Sequence, residues 1–166
     1  MTYTIYLSGP KHLLKDGKEQ FLKDKALCEQ YGFNVLEAPE ELYNPHSSKQ
    51  DGIELAKKRQ KLIEECDIII GQCDDFRSLL EPYGEVSFEF GYAFALDKKI
   101  YAYMKDARTY AGRYPLKKLK DEKGNETDEM GITFEPGPLN VMLNAPAIIV
   151  EGDLQDCLKK IKEDLE

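Results

Sequence analysis

The sequence has few of the residues from which metal sites and disulfide frameworks are built. Its 166 residues include two histidines, no tryptophan and four cysteines, which are Cys28, Cys66, Cys73 and Cys157. No two of these cysteines have the C-x-x-C spacing of zinc or redox motifs, so a metal site is hard to assemble. We therefore expect no metal ion, and we interpret the cysteines as buried, reduced thiols.

Long apolar runs and a basic N-terminal segment are missing as well. No window approaches the ~20 apolar residues that a membrane-spanning helix needs. Residues 1–7 lead straight into a predicted strand instead of forming a signal peptide. The net charge of −8 repels phosphate backbones. These absences predict a cytoplasmic protein that binds neither nucleic acid nor membrane, whereas a neutral small molecule is compatible with the charge.

Strand and helix patterns alternate along the chain. Runs rich in β-branched and aromatic residues predict five strands, at residues 3–8, 33–37, 67–71, 99–104 and 147–150. Apolar residues at helical spacing predict the helices, at residues 15–31, 52–65, 86–96 and 154–165. The alternation indicates one α/β domain over residues 1–166. We expect a flavodoxin-like, doubly wound sheet of five parallel strands in the order 2-1-3-4-5, within three αβα layers.

Ligands of such sheets bind beyond the carboxyl ends of the strands. Gly9 follows the first strand there, and Asp74 and Asp75 follow the central strand. Ser8-Gly9-Pro10 has no continuation that would cradle a nucleotide phosphate, so we expect no cofactor. An aspartate pair in a loop is more often solvated than functional. The charged segment at residues 105–137, with a predicted turn at 121–125, is long enough to be functional or mobile.

One carboxylate stands out in an apolar and aromatic helical stretch. Glu89 lies among residues 86–96, where Val86, Phe90 and Ala93 define an apolar face. Three interpretations stay open: a solvated or ion-paired helix residue, a ligand for a sugar hydroxyl, or a nucleophile that attacks an anomeric carbon. Gly91 costs helix stability, so we expect something to approach the helix closely there.

Four stretches, taken together, resemble one family. They are Ile-Tyr-Leu-Ser-Gly-Pro at residues 5–10, Cys-Asp-Ile at 66–68, Phe-Glu-Phe-Gly-Tyr-Ala at 88–93 and Pro-Leu-Asn-Val-Met-Leu at 138–143. In this order they are similar to motifs of the nucleoside 2-deoxyribosyltransferases. The resemblance implies that Glu89 attacks C1′ of a 2′-deoxynucleoside, and that a second nucleobase or water then attacks the deoxyribosyl ester with overall retention.

The resemblance also implies roles for other residues. Tyr6 holds the nucleophile or lines the pocket, and Gly9 belongs to the same N-terminal motif. Asn140 and Met142 line a sugar pocket, and Asn140 reaches it from a neighbouring subunit. The family likeness thus predicts an obligate homo-oligomer whose ligands are nucleosides and nucleobases.

Two positions depart from the pattern of the resembled family. Tyr83 stands where members commonly have an aspartate, and Arg59 stands where they have aspartate or asparagine. Both positions contact base or sugar and take part in proton handling in the family. The group that protonates the departing base is therefore open among Asp74, Asp75 and Glu85. We place Asp75 first as the second catalytic residue and Asp74 and Tyr83 among the substrate contacts.

Two other functions compete with deoxyribosyl transfer. A hydrolase on the same scaffold would cleave the N-glycosidic bond of a nucleoside or nucleoside monophosphate, with water in place of the acceptor base. A non-enzymatic flavodoxin-like module, such as a receiver domain, is the third class. The first strand ends without the acidic cluster of receiver domains, which argues against that class.

Overall fold

The structure, a computed structural model, describes residues 2–39, 48–77 and 80–166. Its main sheet has five strands: β1 (Thr4–Ser8), β2 (Asn34–Val35), β3 (Ile68–Gln72), β4 (Lys99–Met104) and, after the short hairpin described below, β7 (Ile148–Glu151). Neighbouring strands run parallel in the order β2-β1-β3-β4-β7. Because β7 is the fifth strand of this sheet, the predicted order 2-1-3-4-5 is confirmed.

The helices follow the predicted alternation. After a 3₁₀ turn at Pro10–Leu13 come α1 (Gly17–Gln30), α2 (Lys49–Glu65), α3 (Gly84–Ala95), α4 (Tyr110–Arg113), α5 (Val141–Asn144) and α6 (Leu154–Leu165). Helix α2 begins three residues before its predicted start because the Ser48 side chain accepts a hydrogen bond from the Asp51 backbone N–H. The loop predicted over residues 38–50 lies mostly outside the described residues.

Two apolar layers cover the two faces of the sheet. Side chains of α2, α3 and α5 pack on one face, with Tyr6 and Ile69 from the strands. Side chains of α1 and α6 pack on the other face, with Ile5 and Ile70. Because neighbouring strand residues point to opposite faces, β1 sends Tyr6 and Ser8 toward α2 and α3. All four cysteines are free and buried, as expected, and burial raises the pKa of Cys28 to about 12.

The long segment before β7 is more ordered than the sequence suggests. It contains α4 and a hairpin in which β5 (Leu119–Lys120) pairs antiparallel with β6 (Glu126–Thr127). The Asp121 carboxylate accepts hydrogen bonds from the Asn125 backbone and side chain, which confirms the predicted turn at residues 121–125. Within the described residues, no helix is long and apolar enough to cross a membrane.

Gly71 in β3 allows α3 to pack closely against the sheet. A Cβ on Gly71 would lie 2.4 Å from Cζ of Phe90 and 2.9 Å from Cγ1 of Val86.

We expect Gly71→Ala to lower the free energy of unfolding by about 1–3 kcal/mol, because the buried Phe90 ring must shift. Gly52→Ala is the matched control. No described atom lies within 4 Å of a Cβ on Gly52, and alanine there should raise stability by up to about 1 kcal/mol. Urea unfolding of the two variants measures both effects, and equal stability would contradict the packing argument.

Candidate active site

Three elements of the fold bring polar side chains together on one face of the sheet. Glu89 lies in the second turn of α3, on the face that buries Val86, Phe90 and Ala93. That face points toward β1, where alternate residues present Tyr6 and Ser8. Arg59, from α2, completes the group, and this residue is 8% exposed.

Both carboxylate oxygens of Glu89 are occupied. Its Oε1 accepts a hydrogen bond from the Tyr6 hydroxyl at 2.6 Å and pairs with Nη2 of Arg59 at 2.7 Å. Its Oε2 accepts a hydrogen bond from Oγ of Ser8 at 2.5 Å. With 2 % of its surface exposed, Glu89 is held in one position by three donors. Among the three interpretations of Glu89, the solvated helix residue is therefore excluded, whereas an ion-paired residue is observed.

Burial dominates the electrostatics of Glu89. It raises the pKa of the carboxyl, while Arg59, Ser8 and Tyr6 oppose this rise because they stabilise the carboxylate. Burial and the neighbouring Glu89 raise the pKa of the Tyr6 hydroxyl, so Tyr6 stays a neutral donor. The arrangement preserves a desolvated carboxylate next to fixed donors, which suits a nucleophile that meets developing positive charge.

A second carboxylate, Glu85, belongs to the same cluster. Nη1 of Arg59 pairs with its Oε2, and the Tyr83 hydroxyl donates a hydrogen bond to its Oε1 at 2.6 Å. Burial would raise the pKa of Glu85, but the hydrogen bonds from Tyr83 and Arg59 outweigh burial and lower it. Nε of Arg59 also donates to the Tyr6 hydroxyl at 3.1 Å. Arg59 thus bridges two carboxylates and fixes the tyrosine that contacts one of them.

This cluster opens into a cavity between α2 and α3 of about 230 Å³. Its polar wall comes from Arg59, Gln60, Glu85 and Glu89. Much of its apolar wall comes from Leu55, Ala56, Ile63 and Phe88. The cavity is smaller than the ~300–1,000 Å³ of drug-sized ligand sites. It has room for a small organic group such as a sugar ring beside the two carboxylates.

The two aspartates that follow β3 line a different cavity. Oδ1 of Asp75 pairs with Nη1 of Arg113 at 2.6 Å, and Asp74 accepts a hydrogen bond from the Lys105 backbone N–H at 2.8 Å. Both aspartates lie at the carboxyl edge of the sheet, as the sequence predicted. Their cavity, of about 430 Å³, is lined by Gln72 and residues near β4 and α4 instead of by Glu89. Among the described residues, Asp75 and Glu89 therefore line two different cavities.

Gly9 and Tyr83 lie close to the Glu89 cluster. Gly9 has a positive φ of 156°, and a Cβ there would lie 3.0 Å from Cβ of Gln72, so glycine lets β1 and β3 end side by side. Tyr83 precedes α3, and its ring packs on Phe76 with the centroids 4.8 Å apart. Tyr83 thus reaches the cluster through its hydrogen bond to Glu85.

Asn140 and Met142 lie at the start of α5. Oδ1 of Asn140 accepts a hydrogen bond from the Leu143 backbone N–H at 3.3 Å and caps the helix. Met142 is 77 % exposed. Of the described residues, these two are absent from the lining of the cavity that holds Glu89.

The family resemblance placed Tyr6 beside Glu89, but sequence reasoning did not predict the contacts of Ser8 and Arg59 with this carboxylate. Ser8 lies two residues after Tyr6 in a strand, and this spacing places both hydroxyls on one face. Arg59 was noted only as a departure from a family pattern. No local signal predicts its two ion pairs, because Glu85 and Glu89 follow it by 26 and 30 residues, on another helix.

Removing the bridging cation should destabilise the fold in a pH-dependent manner. In Arg59→Met, Glu85 and Glu89 lose their counter-charge, and we expect a loss of about 3–5 kcal/mol near neutral pH. Without Arg59, the pKa of each carboxyl in the folded state rises above its ordinary value of 4.5. The folded variant then binds protons more tightly than the unfolded chain, so its deficit is largest near pH 8 and shrinks as the pH falls toward about 5.

Urea unfolding of wild type and Arg59→Met, near pH 8 and near pH 5, measures this difference in the free energy of unfolding. The triple variant Arg59→Met, Glu85→Gln, Glu89→Gln is the control, because it removes both uncompensated charges. It should recover much of the stability near neutral pH. A deficit that does not change with pH would show that lost packing, not charge, is the cause.

Comparison with known proteins agrees with the resemblance. The model of a family described as nucleoside 2-deoxyribosyltransferase matches residues 5–142, a range that contains Tyr6, Arg59, Glu85 and Glu89. No curated protein matches the chain. Among solved structures, a 2-desoxiribosyltransferase from Leishmania mexicana is 24% identical, with a TM-score of 0.73, over 96% of this chain and 97% of that one.

A second solved structure, a conserved protein from Enterococcus faecalis V583, is 15% identical, with a TM-score of 0.60, over 99% of both chains. At these identities the two structures show the shared fold. The family model, which spans most of the chain, shows more than the fold. The chain belongs to the nucleoside 2-deoxyribosyltransferase family.

Proposed function

We propose that the protein transfers a 2-deoxyribosyl group from one nucleobase to another through a covalent ester on Glu89. Family membership supports deoxyribosyl transfer. The observation that carries the covalent route is a buried carboxylate, held at both oxygens, on the wall of a cavity of sugar size. The bound donor is a 2′-deoxynucleoside and the acceptor is a free base.

The two oxygens of Glu89 have different environments. Oε1 is occupied by both Tyr6 and Arg59, whereas Oε2 has Ser8 as its donor. We assign the attack to Oε2, because it keeps more of its electron density available. Its lone pair forms the bond to C1′ while the C1′–N bond breaks and the electron pair leaves with the base. Tyr6 and Arg59 hold the other oxygen, which orients the carboxylate for in-line attack.

A carboxylate is also needed to handle the proton of the base. Asp75, preferred on sequence grounds, is paired with Arg113 and lines the neighbouring cavity. Glu85 lines the same cavity as Glu89, so we assign the proton to Glu85. Tyr83 acts through Glu85. Asp74 and Asp75 remain candidates for contacts to the part of the substrate that extends over the carboxyl edge of β3, beyond Gly9.

We propose further that the active site is completed by a second copy of the chain. Phe88 and Met142 are 60 % and 77 % exposed, and Phe94 and Val141 are also mostly exposed, which gives α3 and α5 an uncovered apolar face. The close approach expected at Gly91 is not made by any described residue of its own chain. Packing of this face against a partner would supply that approach and bring Asn140 and Met142 to the partner's cavity.

Hydrolysis is the competing outcome of the same chemistry. Water could replace the acceptor base at the ester, and a nucleoside monophosphate could replace the nucleoside. The Ser8 hydroxyl, which follows β1 and is a candidate for binding a phosphate, donates its hydrogen bond to Glu89. The geometry therefore gives no specific support to a phosphorylated substrate, and product analysis distinguishes transfer from hydrolysis.

The covalent route predicts a specific mass change. Incubating wild type with a 2′-deoxynucleoside and a different free base should give the exchanged nucleoside, and intact-mass analysis without acceptor should show one added deoxyribosyl group. Glu89→Gln should lower turnover by a factor on the order of 1,000 or more, because it removes the nucleophile. It should also abolish the adduct while keeping the fold. Free base that is released over many turnovers without an acceptor, and that an added acceptor does not divert into exchanged nucleoside, would indicate a hydrolase. No turnover would overturn both functions.

The shared site predicts complementation between inactive variants. Asn140→Ala and Glu89→Gln should each be inactive alone. Co-expressed, they form mixed sites in which one chain supplies Glu89 and the other supplies Asn140. For a dimer, activity should recover to on the order of a quarter of wild type, because half of the pairs are mixed and each has one intact site. Absence of recovery in a proven mixed oligomer would restrict Asn140 to its capping role.

A further inference from the structure

A histidine lies next to the Glu89 cluster and has no role in the chemistry described so far. His12 is in the 3₁₀ turn at Pro10–Leu13, directly after β1, and its side chain is 8% exposed. Its ring packs against Tyr83, with the ring centroids 5.6 Å apart. Its Nδ1 lies 3.0 Å from the Gly9 carbonyl oxygen, and its Nε2 lies 3.8 Å from Oε2 of Glu85.

The two ring contacts constrain the protonation of the pair. A carbonyl oxygen only accepts hydrogen bonds, so the contact with Gly9 assigns a proton to Nδ1. In the neutral ring, Nε2 would then present a lone pair to the carboxylate of Glu85. That arrangement is repulsive when Glu85 is ionised. It is favourable when Nε2 carries a proton, because the imidazolium and the carboxylate then form an ion pair at 3.8 Å.

The charge of the cluster leads to the same conclusion. Glu85 and Glu89 carry two negative charges, and Arg59 carries one positive charge, all at least partly buried. Among these described groups, a protonated His12 makes the sum of the charges zero, whereas a neutral His12 leaves a net charge of −1. Buried clusters without compensation are costly. The pKa of Glu85 is lowered in spite of burial, through Tyr83 and Arg59 first and through the charge of His12 as well.

We propose that a protonated His12 stores one proton in its ion pair with Glu85, and that Glu85 relays this proton to the departing nucleobase and back from the incoming one. This inference rests on the proposed deoxyribosyl transfer. His12 does not line the Glu89 cavity among the described residues, so it acts through Glu85. It is a positioning and proton-storing residue, and Glu85 is the group that meets the base.

The first half-reaction balances in charge and in protons. The proton on Nε2 of His12 passes to Glu85. Oε2 of Glu89 bonds to C1′, the C1′–N bond breaks, and the base nitrogen takes the electron pair together with that proton from Glu85. The cluster begins with Glu85⁻, Glu89⁻, Arg59⁺ and His12⁺, and it ends with Glu85⁻, Arg59⁺, a neutral ester and a neutral His12. The loss of one negative charge is matched by the loss of one positive charge, so the buried site stays neutral.

The second half-reaction reverses these steps. The acceptor nitrogen attacks C1′ and gives its proton to Glu85, which passes it to His12, and the C1′–O electron pair returns to Glu89. Water attacks in the same way and leaves its proton on the same pair. Without the proton stored on His12, the base would have to depart as an anion when the ester forms. This route is more difficult for an unactivated nucleoside.

The test compares two leaving groups in His12→Gln. One substrate is the best 2′-deoxynucleoside of the wild-type enzyme, whose base needs a proton to leave. The other is 4-nitrophenyl 2-deoxyribofuranoside, whose phenolate leaves without one. Loss of a general acid costs on the order of 100-fold or more in rate. We expect the rate of His12→Gln and of Glu85→Gln to fall on the order of 100-fold or more with the nucleoside. With the nitrophenyl substrate, the rate of each variant should fall by less than about 10-fold.

The control is Glu89→Gln, which should lose activity on both substrates because both need the nucleophile. Equal losses on the two substrates in His12→Gln would overturn the proton-storing role and leave the proposed transfer standing. A wild-type enzyme that acts on no deoxynucleoside would overturn the transfer itself. The two failures are therefore distinguishable.

A pH profile gives a second readout that a structural role would not change. The titratable and charged groups described around the ring are Glu85, Tyr83, Arg59 and the Lys11–Asp24 pair, which lines a small cavity together with His12. In wild type, kcat/KM for the nucleoside should fall on the alkaline side, where the proton stored on His12 is lost. In His12→Gln this limb should disappear or move by more than about one pH unit. An unchanged limb would contradict the proposal.

Discussion

The buried bridge from Arg59 to Glu85 and Glu89 is the contact on which the rest of the site depends. It joins α2 to α3, and through Nε it also holds the Tyr6 hydroxyl of β1. Taking an unpaired carboxylate out of water costs several kcal/mol, whereas a paired one is close to neutral in stability. The guanidinium therefore makes it possible for the desolvated carboxylate of Glu89 to lie within the apolar layer between these helices and the sheet.

Helix α3 contributes to the apolar core and also to the polar cluster around Glu89. These two demands conflict in its sequence. Val86, Phe90 and Ala93 bury one face against the sheet, and Glu89 stands on that same face. A leucine at this position would pack in the core without needing a hydrogen-bond donor or a counter-charge. Three donors from two other elements are needed to keep the carboxylate there. Such a local departure from the apolar pattern is typical of functional sites.

The position of the cavity refines the general rule for doubly wound sheets. The carboxyl edge of β3 carries Asp74 and Asp75, and a cavity is present there. Glu89 instead faces a cavity on one side of the sheet, between α2 and α3. In the proposed transfer, a substrate that spans both cavities has its sugar near Glu89 and its remaining part over the edge, and the proposed partner subunit contacts the exposed start of α5.

The sequence by itself determined the α/β class, the strand order and the prominence of Glu89. Local spacing carries these features: period-two and period-3.6 patterns define the elements, and right-handed crossovers then leave few strand orders. Element boundaries differed by a few residues where a side chain such as Ser48 caps a helix.

Only the tertiary structure decided that Ser8, Arg59 and Glu85 surround Glu89, and that Asp75 pairs with Arg113 instead. These contacts join residues 26 to 81 positions apart, and no local pattern encodes them. Their geometry is set by how two helices pack on a strand, which depends on the whole core.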